Sequence, residues 1–338
     1  MGNSNKPAGA AEKKSNSNLI YFILNNKALL ILIILVVFAQ IATKGLFINF
    51  SNGLSNLSSV ARQVATPAIL GLGFTVVLAG GGVDLSVGYM VSVIGVLYAL
   101  LSLQMPVVFA ILIAIVFGAL LGMINGTLSV RFKLAPFILT LATGQLFKGV
   151  AYLLNNGKPV GNLGDGVKII GQGLLFGAIP YSFLIMITLT VLMAVMMYRT
   201  RYGRHIIATG GNLEASSVSG INTKAIQISA YVVMGIFAAI GAIVLTGRTA
   251  NASPAAGEGM EMDAIAAVVI GGTPMSGGKA NIVGTIFGSF IMGIISNVLN
   301  LMNIGSFWQW CAKGVIIILA ILLDVQSEKF FNKQRVKA

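Results

Sequence analysis

The sequence predicts an all-α polytopic membrane protein with about ten transmembrane helices, cytoplasmic N- and C-termini and one or more broken helices. Of its 338 residues, 56% are hydrophobic and only 9% are charged, whereas about a quarter of the residues in a soluble domain are charged. The mean hydropathy is +0.90, so most side chains must face lipid or other buried helices. Gly118, Gly122 and Gly126 recur at every fourth position and predict a stripe along which two helices pack closely.

Ten apolar runs define the predicted spans, and most approach the roughly 20 residues that a bilayer-crossing helix needs. They lie near residues 28–48, 64–80, 86–104, 106–129, 136–155, 180–198, 226–247, 263–272, 281–302 and 308–324. The run at 263–272 is too short, which predicts a half-helix or one that extends over the polar residues Glu261 and Asp263. We therefore predict a transmembrane domain over 27–325, after a disordered cytoplasmic tail over 1–26 and before a basic cytoplasmic tail over 326–338.

The basic residues predict the orientation of these spans. With the N-terminus inside, fifteen Lys and Arg residues fall in inner segments, and five fall in outer segments, namely Lys44, Arg62, Lys158, Lys168 and Arg248. Lys148 and Lys313 fall within spans and are counted on neither side. An inside excess of positive charge is typical of membrane proteins, so the net charge of +13 indicates orientation and not a nucleic-acid partner.

Motifs for enzymatic chemistry are missing from the sequence. The stretch 272–279 comes nearest to a phosphate-binding loop, but Thr273 replaces the first glycine and Ala280 replaces the Ser or Thr that should follow the lysine. The sequence contains no HExxH motif and no Gly-x-Ser-x-Gly, and it has one cysteine and one histidine, Cys311 and His205. We therefore expect a protein that is not an enzyme and that holds no metal and no cofactor of its own.

The first notable stretch is Gly-Gly-Gly-Val-Asp-Leu-Ser-Val-Gly at 80–88, between two apolar runs. Asp84 is the only charged residue between Arg62 and Arg131, and a carboxylate near a membrane needs a partner or a wet cavity. Ser86 is predicted to cap the next helix. Asp84, Ser86 and Gly88 are candidate pathway residues at a helix break, although a capped turn at the inner surface explains them as well.

The second stretch is the polar loop 199–225, the longest segment on the predicted cytoplasmic side. Asn212 is predicted to cap a short helix that starts at Leu213, and a carboxylate in its first turn favours the positive helix end. A short exposed helix can dock in the groove of a partner protein, although an ordinary amphipathic connector is the alternative. The candidate docking residues are Gly203, Arg204, Gly210, Gly211, Asn212, Glu214, Ala215 and Gly220.

The third stretch runs from 257 to 279, where acidic residues lead into a short apolar segment and a glycine-rich break follows. Non-helical backbone at membrane depth occurs only beside a cavity or inside protein, so this stretch is predicted to line a pathway. Its candidate residues are Glu261, Asp263, Gly271, Gly272, Gly277 and Gly278. Asn125, Gln145, Asn297 and Asn300 are further candidate lining residues, but hydrogen bonds between packed helices explain them equally well.

These three stretches, in this order, resemble the permease subunits of bacterial ribose, galactose and xylose ABC importers. The resemblance covers nearly the whole chain after residue 45, and residues 258–278 look most like the ribose type. One departure is Gly-Gly-Val at 81–83, where the family has Ser or Thr, then Gly and Ile.

The resemblance implies about ten spans and a homodimer in the bacterial inner membrane. It also implies a separate ABC ATPase subunit that binds ATP and Mg²⁺, and an extracytoplasmic sugar-binding protein. Residues 203–222 would then carry the helix that couples ATP hydrolysis to the import of a monosaccharide by alternating access. The sugar itself cannot be named from the sequence.

Three alternatives make different demands on the sequence. A secondary transporter would need ionisable residues at the membrane midplane, where only Lys148 and Lys313 fall within the predicted spans. A lipid-modifying enzyme would need clustered acids or a metal motif. The nearest alternative among ABC importers is a branched-chain amino-acid permease.

Overall fold

The computed structural model describes residues 27–48, 55–305, 307–319 and 322; the two predicted tails, 1–26 and 326–338, lie outside the described residues. The helices, in chain order, are α1 (Lys27–Ala42), α2 (Ser55–Ala79), α3 (Val87–Ser102), α4 (Val107–Arg131), α5 (Pro136–Leu154), α6 (Asp165–Gln172), α7 (Tyr181–Arg199), α8 (Arg201–Gly211), α9 (Leu213–Val218), α10 (Thr223–Thr249), α11 (Met260–Ile270), α12 (Ile282–Leu301) and α13 (Phe307–Leu319). One antiparallel hairpin, β1 (Leu174–Leu175) with β2 (Ile179–Pro180), lies between α6 and α7.

Six of these helices, α2, α4, α5, α7, α10 and α12, are long and apolar enough to cross a membrane. Four shorter apolar helices, α1, α3, α11 and α13, occupy the remaining predicted positions. Each of the ten apolar runs therefore contains a helix within the described residues, and the polytopic helical membrane fold is confirmed. The number of complete crossings and the side of each terminus stay predictions.

Helix α10 lies at the centre of the bundle, where it packs against α2, α3 and α4. Most residues of α2, α10 and α12 are buried by other helices, whereas α4, α5 and α7 expose most of their apolar side chains. An apolar helix surface that no other helix covers is compatible with lipid. The bundle thus has a protein-packed interior and an outer layer that suits the bilayer.

The predicted glycine stripe on α4 is a close helix contact. A Cβ atom added at Gly118 would collide with the carbonyl oxygen of Gly235, and one added at Gly122 would collide with that of Tyr231. Both partners belong to α10, so the absence of side chains brings the two helix backbones together.

The loop 199–225 contains more helix than the sequence predicted. Residues Arg201–Gly211 form α8, whose first turn is capped by the Thr200 side chain, which accepts a 3.3 Å hydrogen bond from the backbone N–H of Gly203. The predicted short helix at Leu213 is confirmed as α9, which immediately follows α8. We refer to α8 and α9 together as the surface helix pair.

Candidate functional site

The first helix break, residues 80–86, joins α2 to α3, and its Asp84 side chain is hydrogen-bonded to α4. This carboxylate is fully buried and accepts hydrogen bonds from the backbone N–H of Ser86 at 3.0 Å and from the Ser86 hydroxyl at 2.6 Å. The amide of Asn125 on α4 lies 3.3 and 3.4 Å from the two carboxylate oxygens. Ser86 occupies the N-cap position of α3, but its hydroxyl donates to Asp84 and accepts from the Asn125 amide at 2.8 Å, and it accepts from no backbone N–H of α3, so the predicted side-chain cap is wrong.

The second helix break comprises the segments before and after α11. This helix has only 11 residues and includes Glu261 and Asp263, so it extends over the two polar residues, as the second of the two predicted alternatives states. An acidic residue before α11 and one within it form ion pairs with the two lysines that the sequence places inside predicted spans. Lys148 on α5 lies 3.2 Å from Glu258, and Lys313 on α13 lies 2.8 Å from Asp263. A charged side chain within an apolar helix is tolerated when it has a partner, and these two ion pairs supply one for each lysine.

The two breaks touch each other inside the bundle. A Cβ atom added at Gly88, in the first turn of α3, would collide with the Glu261 carboxylate and with the carbonyl oxygen of Gly257. The Ser92 hydroxyl, one turn further along α3, accepts a 2.9 Å hydrogen bond from the backbone N–H of Gly257. Two stretches that the sequence treats separately therefore form one site.

The glycine-rich turn after α11 packs against the start of α12. A Cβ atom at Gly271 would approach the backbone of Gly284 to 2.5 Å, and Gly272 adopts a left-handed conformation with φ of +89°. Asn281 holds this turn, since its side chain donates to the Gly271 carbonyl at 2.8 Å and accepts from the Gly284 N–H at 2.9 Å. Asn281 was not among the predicted site residues.

The surface helix pair presents several of the predicted docking residues to solvent. Asn212 caps α9 as predicted, with its side-chain oxygen 2.9 Å from the backbone nitrogen of Ala215. Glu214 and Ala215 are exposed, as are Arg204 on α8 and Gly220 after α9, whereas Gly203 is buried. The exposed residues form a surface that a second protein could contact.

Tyr202 anchors α8 to α10 beneath this surface. Its phenol oxygen lies 3.1 Å from the hydroxyl of Ser229. Burial raises the pKa of the Tyr202 phenol, and the hydrogen bond from Ser229 opposes that rise. The hydrogen bond from α10 to the surface helix pair is therefore accepted by an uncharged Tyr202 phenol.

Four glycines form a junction at which the surface helix pair meets both helix breaks; we call Gly81, Gly210, Gly277 and Gly278 the glycine junction. A Cβ atom at Gly210 would collide with the carbonyl oxygen of Ala79, where α2 ends, and would lie 2.9 Å from the Gly278 nitrogen. One at Gly277 would approach the Gly81 Cα atom to 3.1 Å. Backbone contacts this close transmit displacement between the three segments, because no flexible side chain lies between them.

A cavity of about 290 Å³ lies beside the glycine junction, between the end of α2 and the turn that joins α4 to α5. Lys133, Gln227 and Tyr231 are among its polar lining residues, and Leu213 of α9 closes one side. Within the described part of the chain, no three His, Cys, Asp or Glu side chains group closely enough to hold a metal ion.

Comparison with known proteins places this architecture in a family. A family model described as "Branched-chain amino acid transport system / permease component" matches residues 56–323. The ribose import permease RbsC of Bacillus subtilis is 40% identical over 272 residues, which cover 80% of this chain and 84% of that protein. RbsC of Escherichia coli is 37% identical, with 81% and 87% covered, and the xylose transport permease XylH of the same species is 30% identical, with 81% and 86% covered.

No solved structure matches the chain. The match of the family model extends over most of the chain, and relatives that exceed 30% identity cover more than two thirds of it. The chain therefore belongs to this family of ABC transporter permeases, together with the ribose and xylose permeases that resemble it.

Proposed function

We propose that this chain is the membrane-spanning subunit of an importer that carries ribose, or a similar pentose or hexose, into the cytoplasm. ATP hydrolysis on a separate ABC ATPase subunit drives the import. The ribose import permeases among its relatives, at 36–40% identity, support the choice of substrate. Hydrolysis on another subunit is consistent with a sequence that carries no phosphate-binding loop.

The observation that carries this proposal is the glycine junction. A partner that moves the surface helix pair displaces Gly210, which contacts the end of α2 at Ala79 and the turn after α11 at Gly278. The same movement therefore reaches both helix breaks. A transporter driven by a docked ATPase needs such a connection, whereas a channel does not.

The proposed mechanism is alternating access in a homodimer of this chain. An extracytoplasmic sugar-binding protein delivers the cargo, and closure of the ATPase dimer moves α9, docked through exposed residues such as Glu214. The breaks then rearrange and open the route inward. The protein resides in the bacterial inner membrane with both termini in the cytoplasm, which the fifteen-to-five distribution of basic residues supports.

Reconstitution tests the proposal directly. The permease, its cognate ATPase and its binding protein are placed in proteoliposomes with ATP on the ATPase side, and uptake of radiolabelled ribose is measured. We expect uptake that requires ATP, the ATPase and the binding protein, and that unlabelled ribose suppresses. Unlabelled xylose, galactose and leucine serve as competitors.

Two results would replace the proposal with one of its alternatives. Uptake that a proton or sodium gradient drives without the ATPase would indicate a secondary transporter. Uptake of leucine in place of ribose would indicate a branched-chain amino-acid permease, the activity that the family description names.

A further inference from the structure

Helix α5 carries three polar residues on a side of the helix that differs from its buried side. Its buried side chains, which include Thr143 and Phe147, lie along one side of the helix. Gln145, Lys148 and Tyr152 recur at spacings of three and four and therefore share another side. We call these three residues the α5 polar face; Gln145 and Tyr152 are exposed and Lys148 is partly exposed.

The α5 polar face reaches the middle of the helix. Gln145 lies nine residues after Pro136 and nine before Leu154, the two ends of α5. At 1.5 Å per residue it is roughly 13 Å from either end, which is close to the centre of a hydrocarbon layer about 30 Å thick. An amide at that depth is costly when it faces lipid, so a water-filled space beside this side of α5 would favour Gln145 at this position.

The ion pair between Lys148 and Glu258 lies on the same side of α5. The ammonium of Lys148 lies 3.2 Å from the carboxylate of Glu258 and 5.4 Å from the centre of the Tyr89 ring. One third of the Lys148 side chain and half of the Glu258 side chain are exposed, at 33% and 54%. The second helix break therefore contributes an accessible carboxylate to the α5 polar face.

We propose that the α5 polar face and Glu258 line the water-filled route through the membrane, and that the Lys148–Glu258 pair is a transient binding step for the hydroxyl groups of a monosaccharide. The ammonium donates hydrogen bonds and the carboxylate accepts them, so together they serve hydroxyl groups that do both. Their charges cancel, which suits a neutral cargo. This inference rests on the proposed import of a sugar.

The neighbouring groups favour a polyol over an amino-acid zwitterion, which would also complement a Lys–Glu pair. Gln145 and Tyr152 add hydrogen-bonding groups to the site. A ring of hydroxyls can form hydrogen bonds with these groups, whereas the aliphatic side chain of a branched-chain amino acid would leave them bonded to water only. Substrate protection distinguishes the two cargoes.

Cysteine labelling tests whether this face borders water. In the complete transporter, with Cys311→Ser in the permease, Gln145→Cys is compared with Leu146→Cys, whose native side chain is 67% exposed on the adjacent, apolar side of α5. A membrane-impermeant methanethiosulfonate reacts with the thiolate form of cysteine, and an apolar lipid environment disfavours that form. We therefore expect Gln145→Cys to be labelled at least about tenfold faster than Leu146→Cys. Equal rates would overturn the aqueous route.

Protection and substitution then test the binding step. Saturating ribose with the binding protein should slow labelling of Gln145→Cys, and leucine should not; protection by leucine alone would overturn the polyol assignment. We expect Lys148→Met with Glu258→Leu to lose about tenfold or more of the uptake, and Lys148→Gln with Glu258→Gln to lose distinctly less, since amides still form hydrogen bonds with hydroxyls. A purely structural pair would tolerate the apolar replacement as well as the amides.

The experiments distinguish a failure of this inference from a failure of the proposed function. If the unmodified transporter imports no sugar, the proposed function and the binding step both fail, but the labelling contrast between Gln145→Cys and Leu146→Cys still reports on the aqueous route. If it imports ribose and ribose does not protect Gln145→Cys, only the binding step fails.

Discussion

The backbone N–H of Gly278 donates a 3.0 Å hydrogen bond to the carbonyl oxygen of Ala79, which joins the turn after α11 to the end of α2. Gly210 of the surface helix pair packs against both groups. A displacement of α8 and α9 would therefore press on both helix breaks through these backbone contacts.

Replacement of Gly210 by Ala tests this connection. The added methyl group would collide with the Ala79 carbonyl. Overpacking of this kind costs about 1–3 kcal/mol of stability unless the segments move apart, so we expect ribose uptake to fall clearly below that of the unmodified permease. Gly211→Ala is the matched control, because a Cβ atom there lies 3.8 Å from the Gly278 Cα atom, an ordinary contact. Uptake is normalised to the amount of permease in the membrane, and equal uptake by the two variants would refute the connection.

Asn212 and Asn222 allow the cap of α9 to be tested against a similar cap elsewhere. Asn212 caps a helix of six residues, and Asn222 caps α10, which has 27 residues, with its side-chain oxygen 3.1 Å from the Ala225 nitrogen. Loss of a cap costs about 1 kcal/mol. A helix as short as α9 is only marginally stable by itself, so we expect it to unfold locally without its cap.

We therefore expect Asn212→Ala to weaken co-purification with the ATPase and sugar-stimulated ATP hydrolysis, and Asn222→Ala to preserve both. Sugar binding to the isolated binding protein should be the same with either variant. Equal retention of the ATPase would mean that α9 is a connector and not a docking helix.

The contact between Gly88 and Glu261 predicts a loss of stability on substitution. Gly88→Ala would push a methyl group into the Glu261 carboxylate and the Gly257 carbonyl, so we expect destabilisation by about 1–3 kcal/mol together with reduced uptake. Gly95→Ala, two turns later on α3, would meet only the side chains of Thr246 and Ala242, at 3.2 and 4.0 Å.

Thermal unfolding in detergent should therefore give a lower apparent Tm for Gly88→Ala than for Gly95→Ala. If the two variants have the same Tm and the same uptake, the breaks do not depend on their mutual contact.

The elements that local composition determines could be predicted from the sequence. Apolar runs of sufficient length predicted the positions of ten helices, and the shortness of the run at 263–272 predicted that α11 is short or begins at the polar residues before it. Asn212 was recognised as a cap because an N-cap acts on the backbone only three residues away. In each case the physical cause lies within a few residues along the chain.

Long-range pairing explains most of what was missed. The lysines at 148 and 313 were visible as charges within spans, but their partners lie 110 and 50 positions away, at Glu258 and Asp263. The predicted cap by the Ser86 side chain failed for a local reason, since the Ser86 backbone is already helical, with φ of −82° and ψ of −9°, whereas a capping residue typically has non-helical angles.

Helix α8 was predicted as part of the polar loop 199–225. Gly203 and Gly210 lower helix propensity, yet both are needed for contact. Gly203 lies against the Met197 carbonyl, and Gly210 lies against that of Ala79. Tertiary packing therefore outweighs local propensity in this segment.

The ion pair between Lys313 and Asp263 allows a double-mutant cycle with a surface pair as its control. The two side chains are 24% and 19% exposed and lie 2.8 Å apart, whereas Lys168 and Asp165 lie 3.5 Å apart with 40% and 101% exposure. Removal of one partner from a largely buried pair leaves an uncompensated charge, so Lys313→Met should destabilise the protein by about 2–4 kcal/mol. Lys168→Met should cost less than about 0.5 kcal/mol, because solvent screens that pair.

Asp263→Asn added to Lys313→Met should recover most of the lost stability, since it removes the stranded carboxylate and leaves a neutral side chain of the same shape. Apparent Tm values in detergent and ribose uptake are measured for both single variants, the double variant and the unmodified protein. Recovery of Tm without recovery of uptake would show that the pair also acts in transport. A double variant that is destabilised by the sum of the two single changes would show that Lys313 and Asp263 are not coupled, and that α11 is held in place by its apolar packing alone.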